Sequence, residues 1–220
     1  NTFTDAREYG SILNVDECDW DKLERFVEDL DTDGQISFES VGSEETQNQL
    51  RKLIRVAKNL GQKYDAVVTN PPYMGASGMG AKLSRYVKTQ YPNSKSDMST
   101  VCMERATNFC DVNGFWSMIT IPGWMFLSSY EEFRKKLLSN QTVINLVHVG
   151  RGIFGSDFGT TSFIFRKKYI KKFEGQYRRL FNKTGEVETV KVREKQFLEG
   201  KGKFRAKQDN YYEISGSPFA

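Results

Sequence analysis

The stretch that most restricts this chain is Tyr64-Asp65-Ala66-Val67-Val68-Thr69-Asn70-Pro71-Pro72-Tyr73, a short apolar run driven straight into two prolines. Neither proline can donate a ladder hydrogen bond and each fixes its own φ, so a strand here has to stop at Asn70. The pattern predicts a buried strand over 64–69, then a stiff extended turn holding the Asn70 amide and the Tyr73 ring at the carboxyl edge of a sheet. Open α/β sheets bind their ligands at that edge.

Further along, strands and helices alternate. Ser96-Asp97 reads as the cap of a helix over 98–111, with Met98, Val101, Cys102, Ala106 and Phe109 facing inward. Asn113-Gly114 turns into a strand over 115–121, again stopped by proline at Pro122, and a helix comes next over about 129–138. Strands over 144–149 and 160–166 are joined by Gly150-Arg151-Gly152-Ile153-Phe154-Gly155. That spacing imitates a dinucleotide fingerprint, but a fingerprint must open a helix, and here a strand comes after it. An antiparallel pair at the sheet edge is expected instead. The order is that of a parallel, doubly wound sheet.

Ahead of the strand, residues 1–60 read as a helical preface. Trp20, Leu23, Phe26, Val27 and Leu30 share one helical face, and a second amphipathic stretch over 44–60 ends at Gly61, a natural carboxyl cap. Between them, residues 29–40 imitate a calcium-binding EF-hand loop, except that Ser40 stands where the bidentate glutamate belongs and Glu39 comes one residue early. An acidic connector is expected there. His148, the only histidine, sits inside an apolar run without a partner at ligand spacing, so a satisfied strand histidine is expected and no metal site can be built.

Residues 74–82 are glycine-rich, and Ala81 separates Gly80 from Lys82, which spoils a phosphate-loop reading and leaves a flexible flap. Lys82, Arg85 and Lys88 come next as candidate DNA-backbone contacts. From Lys167 onward basic residues are interleaved with Tyr169, Phe173 and Tyr177, and 187–192 alternates like a half-exposed strand, as in a small β-rich extension. The net charge of +4 permits a polyanionic partner without demanding one. Cys18, Cys102 and Cys110 lack paired spacing and read as reduced thiols of a cytoplasmic protein. No apolar run reaches membrane-spanning length, so no membrane partner is expected.

Taken together, Asn70-Pro71-Pro72-Tyr73-Met74-Gly75, Tyr91-Pro92-Asn93-Ser94-Lys95-Ser96-Asp97, residues 121–129, Gly150-Arg151-Gly152-Ile153-Phe154 and Thr160-Thr161-Ser162-Phe163 resemble, in family order, the adenine-N6 DNA methyltransferases of BREX phage-defence and restriction-modification systems. The resemblance implies S-adenosyl-L-methionine as donor, a flipped adenine of double-stranded DNA as substrate, and other subunits of a defence complex as partners. It implies Asn70, Pro71, Pro72 and Tyr73 as catalytic residues, and base stacking between Tyr73 and Phe154, with Phe158 as a second choice. Asn70 and Asp97 would then face the cofactor, although Asp97 also reads as a plain helix cap.

The chemistry of such a site can be argued from its atoms. An exocyclic purine amine is a poor nucleophile because its lone pair is delocalised into the ring. Two acceptors on its hydrogens, the Asn70 side-chain oxygen and the Pro71 carbonyl, turn the nitrogen toward tetrahedral geometry and free that pair, without a strong general base. The family's glycine-rich cofactor motif and acidic ribose ligand should precede this point, and neither occurs in residues 1–63. The expectation is therefore an α/β fold forming the second half of a Rossmann-like methyltransferase sheet: a preface over 1–60, a catalytic half over 61–168, and a basic target-recognition or connecting region beginning over 169–220, inactive alone. Methylation of a protein glutamine or an RNA base, or a non-catalytic DNA- or subunit-binding module, are the alternatives.

Overall fold

A computed structural model describes residues 3–29, 40–154, 159–183 and 185–219. They fall into two compact units, 1–62 and 63–220.

The first unit is helical: a short α1 (Ala6–Tyr9), then α2 (Trp20–Asp29) and α3 (Ser40–Gly61). Asp19 starts α2 by accepting the Lys22 amide, and Lys58 of α3 bridges to Asp21 at 3.3 Å and Glu24 at 2.9 Å. Ile12, Leu13, Val27, Ile54 and Ala57 are buried. The expected apolar face of α2 is only partly used, because Phe26 remains 61% exposed. Gly61 is no left-handed cap; a Cβ there would stand 3.1 Å from the Trp20 ring, so close approach of α2 to α3 is what fits glycine. The EF-hand-like stretch lies almost wholly outside the described residues, as does Leu30.

The second unit is built on a six-stranded sheet of order β1-β2-β4-β3-β5-β6. Its elements in chain order are β1 (Tyr64–Thr69), α4 (Ala81–Gln90), α5 (Met98–Phe109), β2 (Cys110–Thr120), α6 (Glu131–Asn140), β3 (Thr142–Gly150), β4 (Thr160–Arg166), β5 (Glu174–Arg179), α7 (Val190–Leu198) and β6 (Lys203–Lys207). β1 runs parallel to β2 and β3 to β5, while β4 is antiparallel to both β2 and β3. The antiparallel pair is thus real but lies inside the sheet rather than at its edge. The 167–173 loop, with Lys172 at φ +60°, carries the chain back past β3 so that β5 and then β6 add beyond it.

Two further expectations change. Among the described residues β1 is the edge strand and pairs only with β2, and Val68 is 76% exposed rather than buried. The segment over 187–192 is not a strand: Val187 makes a single bridge to Arg151, after which the Thr189 hydroxyl caps the first turn of α7. The core lies on one face of the sheet. There Trp116 stacks on Phe165 with centroids 4.7 Å apart and Trp124 meets Phe163 edge-on at 5.2 Å, closed over by α5, α6 and Phe219. Each indole nitrogen finds an acceptor, Gln141 for Trp116 and Thr120 for Trp124, so the rings are buried without stranding a donor.

Candidate functional site

At the carboxyl end of β1 the chain leaves the sheet as the prolines demand. Asn70, Pro72 and Tyr73 are exposed and Pro71 is buried. The Tyr73 hydroxyl lies 2.9 Å from Asn70 Oδ1 and 3.0 Å from the Ile119 carbonyl, and can donate to either. Partial burial pushes the phenol above its ordinary pKa, so the donor proton stays in place near neutrality. The tie joins the rims of two adjacent parallel strands, since Ile119 is the penultimate residue of β2. When the hydroxyl points to Asn70 Oδ1 it occupies one lone pair and leaves the other, and the Tyr73 ring remains 43% exposed.

The chain beyond Tyr73 is held down rather than forming a loose flap. Gly75 and Asp97 form an antiparallel bridge, the Ala76 amide reaches the Ser96 carbonyl at 3.0 Å, and the Met98 amide reaches the Met74 carbonyl at 2.9 Å. A 3-10 turn over Ala76–Gly78 then leads to α4, and neither Gly75 nor Gly78 has a positive φ. Asp97 is 6% exposed, and its Oδ1 takes the amide and hydroxyl of Ser99 at 2.8 and 2.6 Å, the geometry of an α5 cap. Beneath it, Ser94 donates to Glu104 at 2.7 Å and Lys136 of α6 pairs with the same carboxylate at 2.7 Å. The 91–97 stretch is therefore scaffolding that fixes the turn after Tyr73.

Lys82, Arg85 and Lys88 are all exposed on α4, on the side away from buried Leu83 and Val87. The loop after β2 is held by a residue that no local pattern marked. Arg134 of α6, 1% exposed, donates to the carbonyls of Trp124 (3.0 Å), Leu127 (2.6 Å) and Gly216 (2.7 Å). Burial lowers the pKa of this guanidinium from its ordinary value.

His148 is the satisfied strand residue expected of it. Its Nδ1 accepts the Gly150 amide at 3.2 Å, its ring meets Phe181 edge-on at 4.6 Å, and burial, with Arg179 nearby, pushes its pKa down to about 4. Gly150 and Gly152 turn the chain at φ +78° and +92°, and Phe154 comes just after, 57% exposed. Phe158 lies outside the described residues.

An Asn-Pro-Pro-Tyr rim on a parallel strand, in a sheet with an antiparallel strand inserted between β2 and β3, defines an α/β core of the methyltransferase class. Comparison with known proteins narrows this. The chain belongs to the Eco57I restriction-modification methylase family, whose model matches residues 6–154. It is 35% identical, over 99% of its length, to the adenine-specific methyltransferase PglX of Lacticaseibacillus casei (strain Zhang). It is 34% identical, again over 99%, to the adenine-specific methyltransferase BrxX of Escherichia coli O9:H4 (strain HS). It spans about a fifth of those relatives, 19% and 18% of their lengths. Among solved structures, a type I restriction-modification system shares the fold at a TM-score of 0.55 and 17% identity, over 74% of this chain and 38% of that one.

Proposed function

We propose that this segment carries the target-amine clamp of a site-specific DNA adenine-N6 methyltransferase. Such an enzyme of a phage-defence or restriction-modification system transfers a methyl group from S-adenosyl-L-methionine to an adenine flipped out of duplex DNA. The observation that carries the reading is the exposed Asn70 side chain at the sheet rim, with the Tyr73 hydroxyl in reach of its Oδ1 and of the Ile119 carbonyl. In this reading the free lone pair of Asn70 Oδ1 and the Pro71 carbonyl accept the two amine hydrogens. Tyr73 and Phe154, both with exposed rings, offset the few kcal/mol of lost stacking that flipping costs.

The residues present fit only the reactive end of the donor. Asn70 would hold the methyl-bearing end near the amine, and the donor supplies an electrophilic methyl carbon. Asp97, buried with Oδ1 engaged by Ser99, is assigned to the cap and not to the cofactor. Among the described residues β1 is paired on one side only, and a strand added to its open edge is what a complete donor pocket needs, so the segment is read as acting within the longer protein. Lys82, Arg85 and Lys88 would contact the duplex backbone, and other subunits of a defence complex are the expected protein partners. Among the described residues no helix is long and apolar enough to cross a membrane. The three unpaired cysteines are in keeping with a reducing, cytoplasmic setting.

The test is methyl transfer from labelled donor by the full-length protein to duplex DNA, protein and RNA in parallel. Label in DNA adenine that disappears with Asn70→Ala supports the reading. Label confined to protein or RNA sinks it.

A further inference from the structure

We infer that Arg193, on α7, is a positioning residue that fixes the loop carrying Phe154 and thereby sets one wall of the base site. The inference rests on the stacking role proposed above for Phe154. The family match ends at residue 154, yet the loop over 150–154 is held by chain well beyond it. The Leu180 amide donates to the His148 carbonyl at 3.0 Å, just before the loop begins. Arg151 bridges to Val187. A Cβ on Gly152 would stand 2.5 Å from the Glu188 carbonyl oxygen, so the backbone of 187–188 presses directly on the turn before Phe154.

This strap is tied down by Arg193. Its guanidinium is 2% exposed, and the two hydrogens of Nη1 are shared among three acceptors, the Leu180 carbonyl, Glu186 Oε1 at 3.1 Å and Gln196 Oε1 at 3.1 Å. Glu186 in turn takes the Asn182 and Lys183 amides through Oε2, closing the turn on itself. Nη2 lies 3.4 Å from where a Cβ on Gly150 would be, so the guanidinium packs directly behind the loop. One cation thus grips both ends of the strap and touches the start of the loop.

Stability is a poor account of this arrangement. Nε and Nη2 of Arg193 have no acceptor among the described residues. The ion pair with Glu186 could be exchanged for apolar packing at little cost to stability when both charges go, and only the Leu180 carbonyl would then be left without its donor. What an apolar replacement cannot do is hold a carbonyl, a carboxylate and an amide oxygen in one fixed geometry.

The experiment uses the full-length protein and duplex DNA bearing its target site, mapped first by sequencing DNA that the protein has methylated. The double variant Arg193→Met/Glu186→Gln is compared with wild type for thermal midpoint, duplex affinity, KM and kcat. The fluorescence of 2-aminopurine at the target adenine reports how the extruded base is stacked. The expected result is an unchanged duplex affinity, with kcat, measured well below both midpoints, lowered about tenfold or more and an altered 2-aminopurine signal, while the midpoint falls because the buried Leu180 carbonyl loses its donor. Unchanged kcat and fluorescence overturn the inference, as does a loss of rate that merely tracks a fallen midpoint. Gly152→Ala disturbs the same contact from the loop side and is expected to reproduce the fluorescence change. Phe154→Ala separates the two levels: if it leaves kcat and fluorescence untouched, the stacking role itself falls. If it lowers both while the Arg193 variant does not, only the brace falls.

Discussion

The Tyr73 hydroxyl sits 2.9 Å from the side-chain oxygen of Asn70 and 3.0 Å from the Ile119 carbonyl, so a single phenol proton is shared between the rim of β1 and the rim of β2. Both of its partners are acceptors, and its one proton is all that orients the Asn70 amide from this side. Tyr73→Phe keeps the ring for stacking and removes only that orientation. In the full-length protein it is expected to lower kcat about tenfold, with stability changed by less than about 1 kcal/mol because the group is partly solvated. Asn70→Ala removes the acceptor itself and is expected to cost on the order of 10²- to 10³-fold, comparable to loss of an oxyanion-hole donor. Steady-state methyl transfer to duplex DNA measures both, and a Tyr73→Phe enzyme as fast as wild type would sink the orienting role.

His148 makes the second unit sensitive to mild acid. Its pKa falls from 6.5 to about 4 in the folded chain, through burial first and Arg179 second. Between those values the unfolded chain takes up a proton that the folded chain refuses, so stability declines as pH drops from 6.5 toward 4 and is flat, for this group, above and below. The loss is about 3 kcal/mol at the acid end. Urea unfolding of wild type and His148→Gln at about pH 4.5 and about pH 7 is the check. The variant should show a shallower fall, and equal falls in the two would mean the imidazole is not the responsible group.

The parts of the fold that were legible in the sequence are those governed by local rules. Two prolines end β1, Asp97 caps α5, and an apolar run with no helix after it makes 142–166 an antiparallel pair. What escaped depends on neighbours far away in the chain. Nothing within 160–166 announces that β5 and β6 will add outside β3, which turns an expected edge hairpin into an interior one. Exposure of Val68 is likewise not set by its own residues, and among the described residues β1 has no partner on its free edge. At the site, the Asn70 and Tyr73 types were visible, but the hydroxyl contact to Ile119 joins residues 46 apart and left no spacing to read. Nothing in the local pattern around Arg134 or Arg193 marks either as buried. Only the carbonyls converging on them, from Gly216 in one case and Leu180 in the other, reveal them as buried braces.

Close approach of backbone at the amino end of β2 makes Gly114 a second fixed point. A Cβ there would stand 2.8 Å from the Asp65 carbonyl oxygen and 2.8 Å from the Cys110 sulfur. Backbone and a buried thiol cannot both yield, so Gly114→Ala is expected to destabilise by about 1–3 kcal/mol, the range for overpacking. Denaturant unfolding measures it, and a midpoint equal to wild type would mean that β1 and β2 can part at this end.

Arg134 gives the sharpest stability prediction. Its side chain is 1% exposed and serves the carbonyls of Trp124, Leu127 and Gly216, so it pins the loop after β2 to the turn at 216. The Phe219 amide completes the same clasp by donating to the Met125 carbonyl at 2.8 Å. Arg134→Met fills most of the volume but leaves these acceptors without their donor. The cost of stranding buried acceptors on separate stretches of chain is on the order of 2–4 kcal/mol. The loss should be local before it is global, because the severed hydrogen bonds all lie in the loop after β2 and the turn at 216. Hydrogen exchange should therefore quicken at the Phe126, Leu127 and Phe219 amides while the Trp116 and Phe165 amides of the central strands stay protected. Uniform quickening across the sheet would show that Arg134 supports the whole core, and unchanged exchange would remove it from the loop altogether.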